Sequence, residues 1–292
     1  MSKILITTSS FGTEEALKKL QEHGFEAVLN PYKRKLTTPE LKELLLGVIG
    51  LIAGTETIDR ETMKNSSLKV ISRVGTGIDN IDLVAAKELG IAVKNTPDAP
   101  TIAVAELTLG GILGLLRQIP QMNEGVHQKK WEKKMGVQLS GKTVLIIGFG
   151  RIGKALAKLL EPFNVTLLTV DPAGRSISLA EGLSRADIVC LHASGQKEIL
   201  GPEEFKLMKK GVFLVNTARG ELWDENALIE ALKNGQVAGA YVDAFHAEPY
   251  SGPLTEFSQV ILTPHVGSYT KECRTQMEME AVDNLLLELG VK

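Results

Sequence analysis

Three charged residues in the second half of the chain stand just beyond apolar runs, and together their types suit one reaction. Arg219 follows VFLVNT (212–217), Glu248 lies five residues past VAGAYVD (237–243), and His265 follows VILTP (260–264). A guanidinium carries a permanent charge and a planar fork of donors, so it can hold a carboxylate and polarise a neighbouring ketone. An imidazolium can protonate an alkoxide as it forms, or take the proton back in the reverse direction. A carboxylate beside the imidazole favours its charged form and fixes its orientation. This set serves hydride transfer to or from a 2-keto acid. Alone, each residue has a plainer role: Arg219 as a loop cap, Glu248 before Pro249 as a turn residue, His265 as a structural strand-end histidine. His192 also ends an apolar run and His246 lies close to Glu248, so position does not choose among the three histidines.

A source of hydride is written upstream. Residues 144–171 read VLIIGFGRIGKALAKLLEPFNVTLLTVD. An apolar strand runs into Gly148-Phe149-Gly150-Arg151-Ile152-Gly153, and a helical pattern follows. The first glycine permits the tight turn, the second lets the backbone approach a pyrophosphate, and the third lets helix and strand pack closely. The phosphates then rest on the helix N-terminus. The next strand ends at Asp171, at the distance where an acidic residue hydrogen-bonds the adenosine ribose. Its charge would repel a 2′-phosphate, which favours NAD over NADP, although nearby Arg175 could accommodate one. Asp243, at the end of its own strand, can simply satisfy backbone amides there.

These groups reach one place only if parallel strands deliver them, because ligands of open α/β sheets bind beyond the carboxyl ends of the strands. The sequence provides such strands. Residues 1–97 alternate KILITT, FEAVLN, VIGLIAG, KVISRVG and IAVKNT with helical segments such as TEEALKKLQEHG, which carries a Thr cap and a Gly stop. The pattern breaks at NTPDAPT. After the helical run IAVAELTLGGILGLLRQIPQ and a polar segment, a second series begins: TVLIIG, VTLLTV, DIVCLH, VFLVNT, VAGAYVD and VILTP. The spacing predicts two α/β units, each built on a doubly wound parallel sheet.

Composition narrows the partners. With 33 basic and 35 acidic side chains the net charge is −2, which gives no reason to expect nucleic acid or an anionic membrane. The longest apolar segment contains Glu106 and falls short of a bilayer span. Two cysteines are too few for a disulfide framework or a Cys-based zinc site, and no metal is expected. The first residues lack the features of a signal peptide, so a cytoplasmic setting is expected.

With these motifs assembled, the chain resembles the D-isomer-specific 2-hydroxyacid dehydrogenases, most of all their D-3-phosphoglycerate dehydrogenase branch. The resemblance runs through RVGTGIDNIDL (73–83), NTPDAPTIAVAELTLG (95–110), GFGRIG (148–153), KKGVFLVNTARGELWDENAL (209–228), VDAFHAEP (242–249) and LTPHVGS (262–268). It implies a flavodoxin-like substrate-binding domain of residues 1–97 and 270–292, with a Rossmann NAD-binding domain, 98–269, inserted into it. It implies substrate in the cleft between them, closed by a hinge. By the same resemblance Arg219 binds and polarises substrate, Glu248 partners histidine, and His265 is the acid/base. NAD contacts fall to Gly148, Gly150, Arg151, Ile152, Gly153, Asp171, His192, Thr217, Ala218 and Asp243. The backbone of Val74, Gly75 and Thr76 would meet the substrate carboxylate. A homodimer through the cofactor domain is implied, with LTLGGILGLL as part of its surface or of the core.

Three departures from the family pattern stand out. The segment between Asp171 and DIVCLH is short, which trims the adenine side. HASGQKEILG (192–201) replaces the usual stretch there. IAGTE (52–56) lacks the arginine of the phosphoglycerate branch, although Lys33, Arg34 and Lys35 could serve an anionic group. The sequence stops soon after its last helix, so no appended amino-acid-sensing domain is expected. The leading expectation is an NAD-dependent oxidoreductase acting on a small D-2-hydroxy acid or 2-keto acid. The alternatives are 3-phosphoglycerate oxidation and, from another class, a non-catalytic NAD(H)-sensing scaffold. Formate oxidation fits less well, since that relative places Gln where Glu248 stands.

Overall fold

The computed structural model describes residues 1–174, 177–195 and 197–291, so Arg175 lies outside the described residues. The chain forms two compact units, Met1–Pro100 with Ser268–Lys292, and Thr101–Gly267. Every β-branched run singled out above becomes a strand.

In the first unit these are β1 (Ser2–Ile6), β2 (Phe25–Leu29), β3 (Val48–Ala53), β4 (Val70–Arg73) and β5 (Ala92–Asn95). They pair in parallel in the order β2-β1-β3-β4-β5, the flavodoxin-like arrangement. One face buries Leu5, Leu51, Ile71 and Ala53 against Leu41, Met63, Ala85 and Ile91. The last helix, Lys271–Glu288, packs against β3, β4 and β5. Its buried Glu278 accepts hydrogen bonds from Gly12 N–H (3.0 Å) and Thr13 N–H (2.9 Å) and pairs with Arg274. That explains a departure from the expected cap: Thr13 precedes helix Glu14–Glu22 but makes no side-chain cap bond, and its own N–H is held by Glu278.

The second unit carries β6 (Thr143–Ile147), β7 (Thr166–Val170), β8 (Ile188–Leu191), β9 (Val212–Asn216), β10 (Val237–Val242) and β11 (Val260–Leu262). All pair in parallel, in the order β11-β10-β9-β8-β6-β7. The doubly wound dinucleotide-binding order has one further strand beyond β7. Here the described residues after Asp171 contain no such strand. Ile177 N–H donates instead to Thr169 O (3.2 Å), and helix Leu179–Arg185 follows directly.

The apolar helix Pro100–Leu116 has a buried side and an exposed side. Ala105, Thr108, Ile112 and Leu115 are buried against the sheet, while Ile102, Glu106 and Gly110 face outward. Among the described residues no single helix is long and apolar enough to cross a membrane.

Candidate active site

The parallel strands bring the expected groups of the second unit to one edge. At the end of β6 the chain turns through Gly148 with φ +95°, a left-handed conformation that favours glycine. A side chain at Gly148 would collide with the backbone of His192 and Ala193, and one at Gly153 with the Gly148 carbonyl. Gly150 has open space where its side chain would start, and it caps helix Arg151–Leu160 with no side chain of its own. These features fit a pyrophosphate laid on the helix N-terminus, approached through Gly150.

Asp171 has a structural duty beside its expected one. Its carboxylate accepts from Phe149 N–H (2.6 Å) within the loop and from Ala173 N–H (2.8 Å). These two bonds, helped by the charge of Lys154 and opposed by burial, hold its pKa below the usual aspartate value. Asp171 thus fixes the glycine loop from the end of β7, where a ribose hydroxyl is expected.

Beyond β9, buried Asn216 folds the turn that carries Arg219. Its Nδ2 donates to Arg219 O (2.8 Å), and its Oδ1 accepts from Ala218 N–H (3.0 Å). Thr217 is buried and bonds hydroxyl to hydroxyl with Thr108 of the long helix (2.9 Å). Gly220 follows Arg219 and lies so close to the backbone of Phe245 and His246 that no side chain fits there. The arginine turn is thereby seated against the loop that carries Glu248.

Beyond β10, buried Asp243 organises the histidine loop. Its carboxylate accepts from Thr263 Oγ1 (2.5 Å), Val266 N–H (2.9 Å) and Gly267 N–H (2.9 Å). Tyr241 adds its hydroxyl to the chain at Thr263 (3.0 Å), and burial moves its pKa up to about 12. The backbone-amide reading of Asp243 is the arrangement seen. Val266 and Gly267 directly follow His265, so this carboxylate also positions the histidine.

His265 adopts φ +53°, uncommon for a residue with a side chain and a mark of a position fixed by its surroundings. Its Nδ1 lies 2.9 Å from both oxygens of Glu248. Partial burial works to raise the Glu248 pKa. The hydrogen bond and charge of His265, Phe245 N–H and the charge of Arg219 outweigh it, and the carboxyl sits below its ordinary value. Arg219, Glu248 and His265 therefore form one electrostatic cluster. Both partners of the His265–Glu248 pair remain close to half exposed, and among the described residues the hydrogen bonds of the ring are made through Nδ1.

The rival histidines are placed elsewhere. His246 Nε2 lies 3.2 Å from Trp223 O. His192 is packed beside the glycine loop with both ring nitrogens buried and, among the described residues, unpartnered; burial lowers its pKa to about 4. It is held neutral.

In the first unit, the turn after β4 is largely committed to the fold. Val74 N–H donates to Ala53 O (2.9 Å) and Gly75 N–H to Thr96 Oγ1 (2.7 Å). Among the described residues Thr76 N–H has no such partner. Of the basic loop, Arg34 pairs with Glu40 through two bonds (2.6 and 2.9 Å) and lies over the Tyr32 ring.

Sequence reasoning missed Thr108, Thr263 and Tyr241, whose hydroxyls brace these turns. Only the short TPH spacing linked Thr263 to His265. It also read one helical run through residue 121, where the chain breaks at Gln118 (φ +51°) and a second helix, Ile119–His127, begins. It passed over 122–137 as a polar segment, where Trp131 is 84% and Met135 92% exposed.

Residues 109–267 match the model of the NAD-binding domain of D-isomer-specific 2-hydroxyacid dehydrogenases. The chain belongs to this family. It is 38% identical, over 94% of its length, to a D-3-phosphoglycerate dehydrogenase of Methanocaldococcus jannaschii, of which it spans 55%. The chain thus covers about half the length of the phosphoglycerate dehydrogenases it matches. It is 40% identical, over 80% of its length, to a glyoxylate reductase of Thermofilum pendens, of which it covers 76%. The solved TT0316 protein of Thermus thermophilus superposes with TM-score 0.92 at 35% identity, over 99% of this chain and 98% of that one. Family membership makes the second unit an NAD-binding domain, in accord with its glycine loop and Asp171.

Proposed function

We propose that the protein is an NAD-dependent oxidoreductase interconverting a small D-2-hydroxy acid and its 2-keto acid. The observation that carries this reading is the His265–Glu248 pair beside Arg219, on the same sheet edge as the glycine loop. Nicotinamide, when bound, supplies or accepts the hydride. Arg219 holds the substrate carboxylate and polarises the ketone. His265 presents Nε2 to the substrate oxygen and delivers its proton during reduction, or removes it during oxidation. Glu248 fixes the ring through Nδ1 and stabilises the imidazolium. Gly148, Gly150, Arg151, Ile152 and Gly153 receive the pyrophosphate, and Asp171 the ribose. His192, Thr217, Ala218 and Asp243 line the cofactor side, with Asp243 chiefly supporting the histidine loop. Residues 1–97 and 270–292 bind substrate, with the turn at Val74, Gly75 and Thr76 toward its carboxylate. Residues 98–269 bind cofactor.

The names of the relatives support two substrate readings, glyoxylate-like acids and 3-phosphoglycerate. The engagement of Arg34 with Glu40 favours the unphosphorylated class. We also infer a homodimer, because Ile119, Val126, Trp131 and Met135 of the cofactor unit expose apolar surface that a second copy would cover. Two buried, unpaired cysteines suit a reducing cytoplasm. Reduction of NAD by D- and L-enantiomers of glycerate and lactate tests the reading. Turnover of a D-acid alone is expected, whereas an L-acid preference would contradict it. Tight NADH binding without any turnover would favour a sensing scaffold.

A further inference from the structure

Three positions on one face of the helix Pro100–Leu116 meet the turns that carry the site. Val104, Thr108 and Gly111 stand four and three residues apart, the spacing that stacks residues on one side of a helix. Val104 packs against Gly267, where a side chain would begin 3.2 Å from its methyl group. Thr108 gives its own proton to Val104 O (2.7 Å), so its oxygen accepts from the hydroxyl of Thr217 (2.9 Å), two residues before Arg219. Gly111 faces the ring of Tyr241 so closely that no side chain fits there. The ring is buried between helix and sheet.

The tyrosine hydroxyl begins a chain of fixed direction. The Asp243 carboxylate can only accept, so Thr263 Oγ1 gives it the one proton it has (2.5 Å). Thr263 is then an acceptor toward Tyr241, which donates to it (3.0 Å). Burial, opposed by the Thr263 bond and helped by the charge of Asp243, moves the Tyr241 pKa up to about 12, so the donor keeps its proton. At the far end Asp243 holds Val266 N–H and Gly267 N–H, the two amides that follow His265. Packing alone does not require the hydroxyl, since a phenylalanine ring fills the same space. Without it the Thr263 oxygen keeps a buried acceptor site unmet, and the loop relieves that by opening to water.

We propose that Tyr241 is a positioning residue for proton transfer: its hydroxyl, acting through Thr263 and Asp243, holds His265 in place against Glu248. This rests on the oxidoreductase reading above and adds to it a residue remote from the imidazole.

Tyr241→Phe removes the oxygen and keeps the ring. In the cofactor-free protein, amide hydrogen exchange at Val266 and Gly267 should quicken by roughly three- to tenfold in this variant. With a 2-keto acid that the wild type reduces, kcat should fall by a similar factor, while KM for the acid and NADH affinity stay within about twofold. Thr263→Val should lower kcat at least as far. Adding Tyr241→Phe to it should cost nothing more, because the chain is already cut. A tyrosine that only packs would leave both the exchange and kcat of the folded Tyr241→Phe protein at wild-type values, and that result overturns the proposal. So does a double variant whose two losses multiply, since Tyr241 would then act by another route. No wild-type turnover of any 2-keto acid is the separate failure of the oxidoreductase reading, and it removes this inference as well.

Discussion

His192 and His265 each follow a strand of the same sheet, β8 and β11, yet their surroundings oppose each other. His192 sits beside the glycine loop with both ring nitrogens buried and without a partner among the described residues, and its pKa is lowered to about 4. His265 is half exposed, holds Glu248 through Nδ1, and is fixed in a left-handed backbone conformation by a loop that Asp243 organises. A proton-transfer group needs solvent or substrate access, a partner for its charged form and a fixed orientation. His265 has all three. His192 lacks the first two, and burial keeps it as neutral packing beside the cofactor loop. A strand end delivers a residue to the right edge; the neighbouring turns decide what it can do there.

The largest effect should come from removing the imidazole on the active side of this contrast. His265→Ala is expected to cut turnover by roughly 10²–10⁴-fold while NADH binding, followed by fluorescence, stays close to wild type. Full activity in that variant would move the proton to His192 or His246. Next is the support beneath it. Asp243→Ala strands three donors, Thr263 Oγ1, Val266 N–H and Gly267 N–H, and should cost about 1–3 kcal/mol in denaturant unfolding. Stability equal to wild type would show that the loop holds itself.

On the silent side, His192 couples folding to pH. Its folded pKa of about 4 lies below the unfolded value near 6.5. Its contribution to stability is therefore complete above pH 6.5 and is lost as pH falls toward 4, because the unfolded chain takes up the proton first. His192→Leu should remove roughly 1–2 kcal/mol of the stability loss between pH 7 and pH 5. Parallel pH profiles for variant and wild type would contradict the buried, neutral ring. The smallest expected effect is at Asp171. Asp171→Ala should narrow the NAD-over-NADP preference by roughly tenfold, through loss of a charged acceptor for the ribose. An unchanged preference would leave Asp171 only its structural bonds to the loop.

Every strand was legible, because runs such as VLII and VFLV are short, β-branched and bounded by turn residues. The glycine loop was legible for a related reason: each glycine answers a local backbone demand that sequence alone states. What the sequence left open was long-range. Glu248 and His265 are 17 positions apart, and their pairing depends on the path of two turns braced by Asp243, Thr263 and Tyr241. Glu56 was not singled out within IAGTE, since its burial follows from the pairing of β1 with β3. The exposed Trp131 and Met135 were hidden in a segment whose lysines made it look like a solvated connector.

The most direct measurement is NADH consumption by the wild-type protein with glyoxylate, pyruvate, hydroxypyruvate and 3-phosphohydroxypyruvate, with NADH affinity measured in parallel. Turnover on at least one 2-keto acid, lost in His265→Ala without loss of NADH affinity, is expected if the His265–Glu248 pair works beside Arg219 as described. Tight NADH binding with no turnover on any of the four would contradict that role.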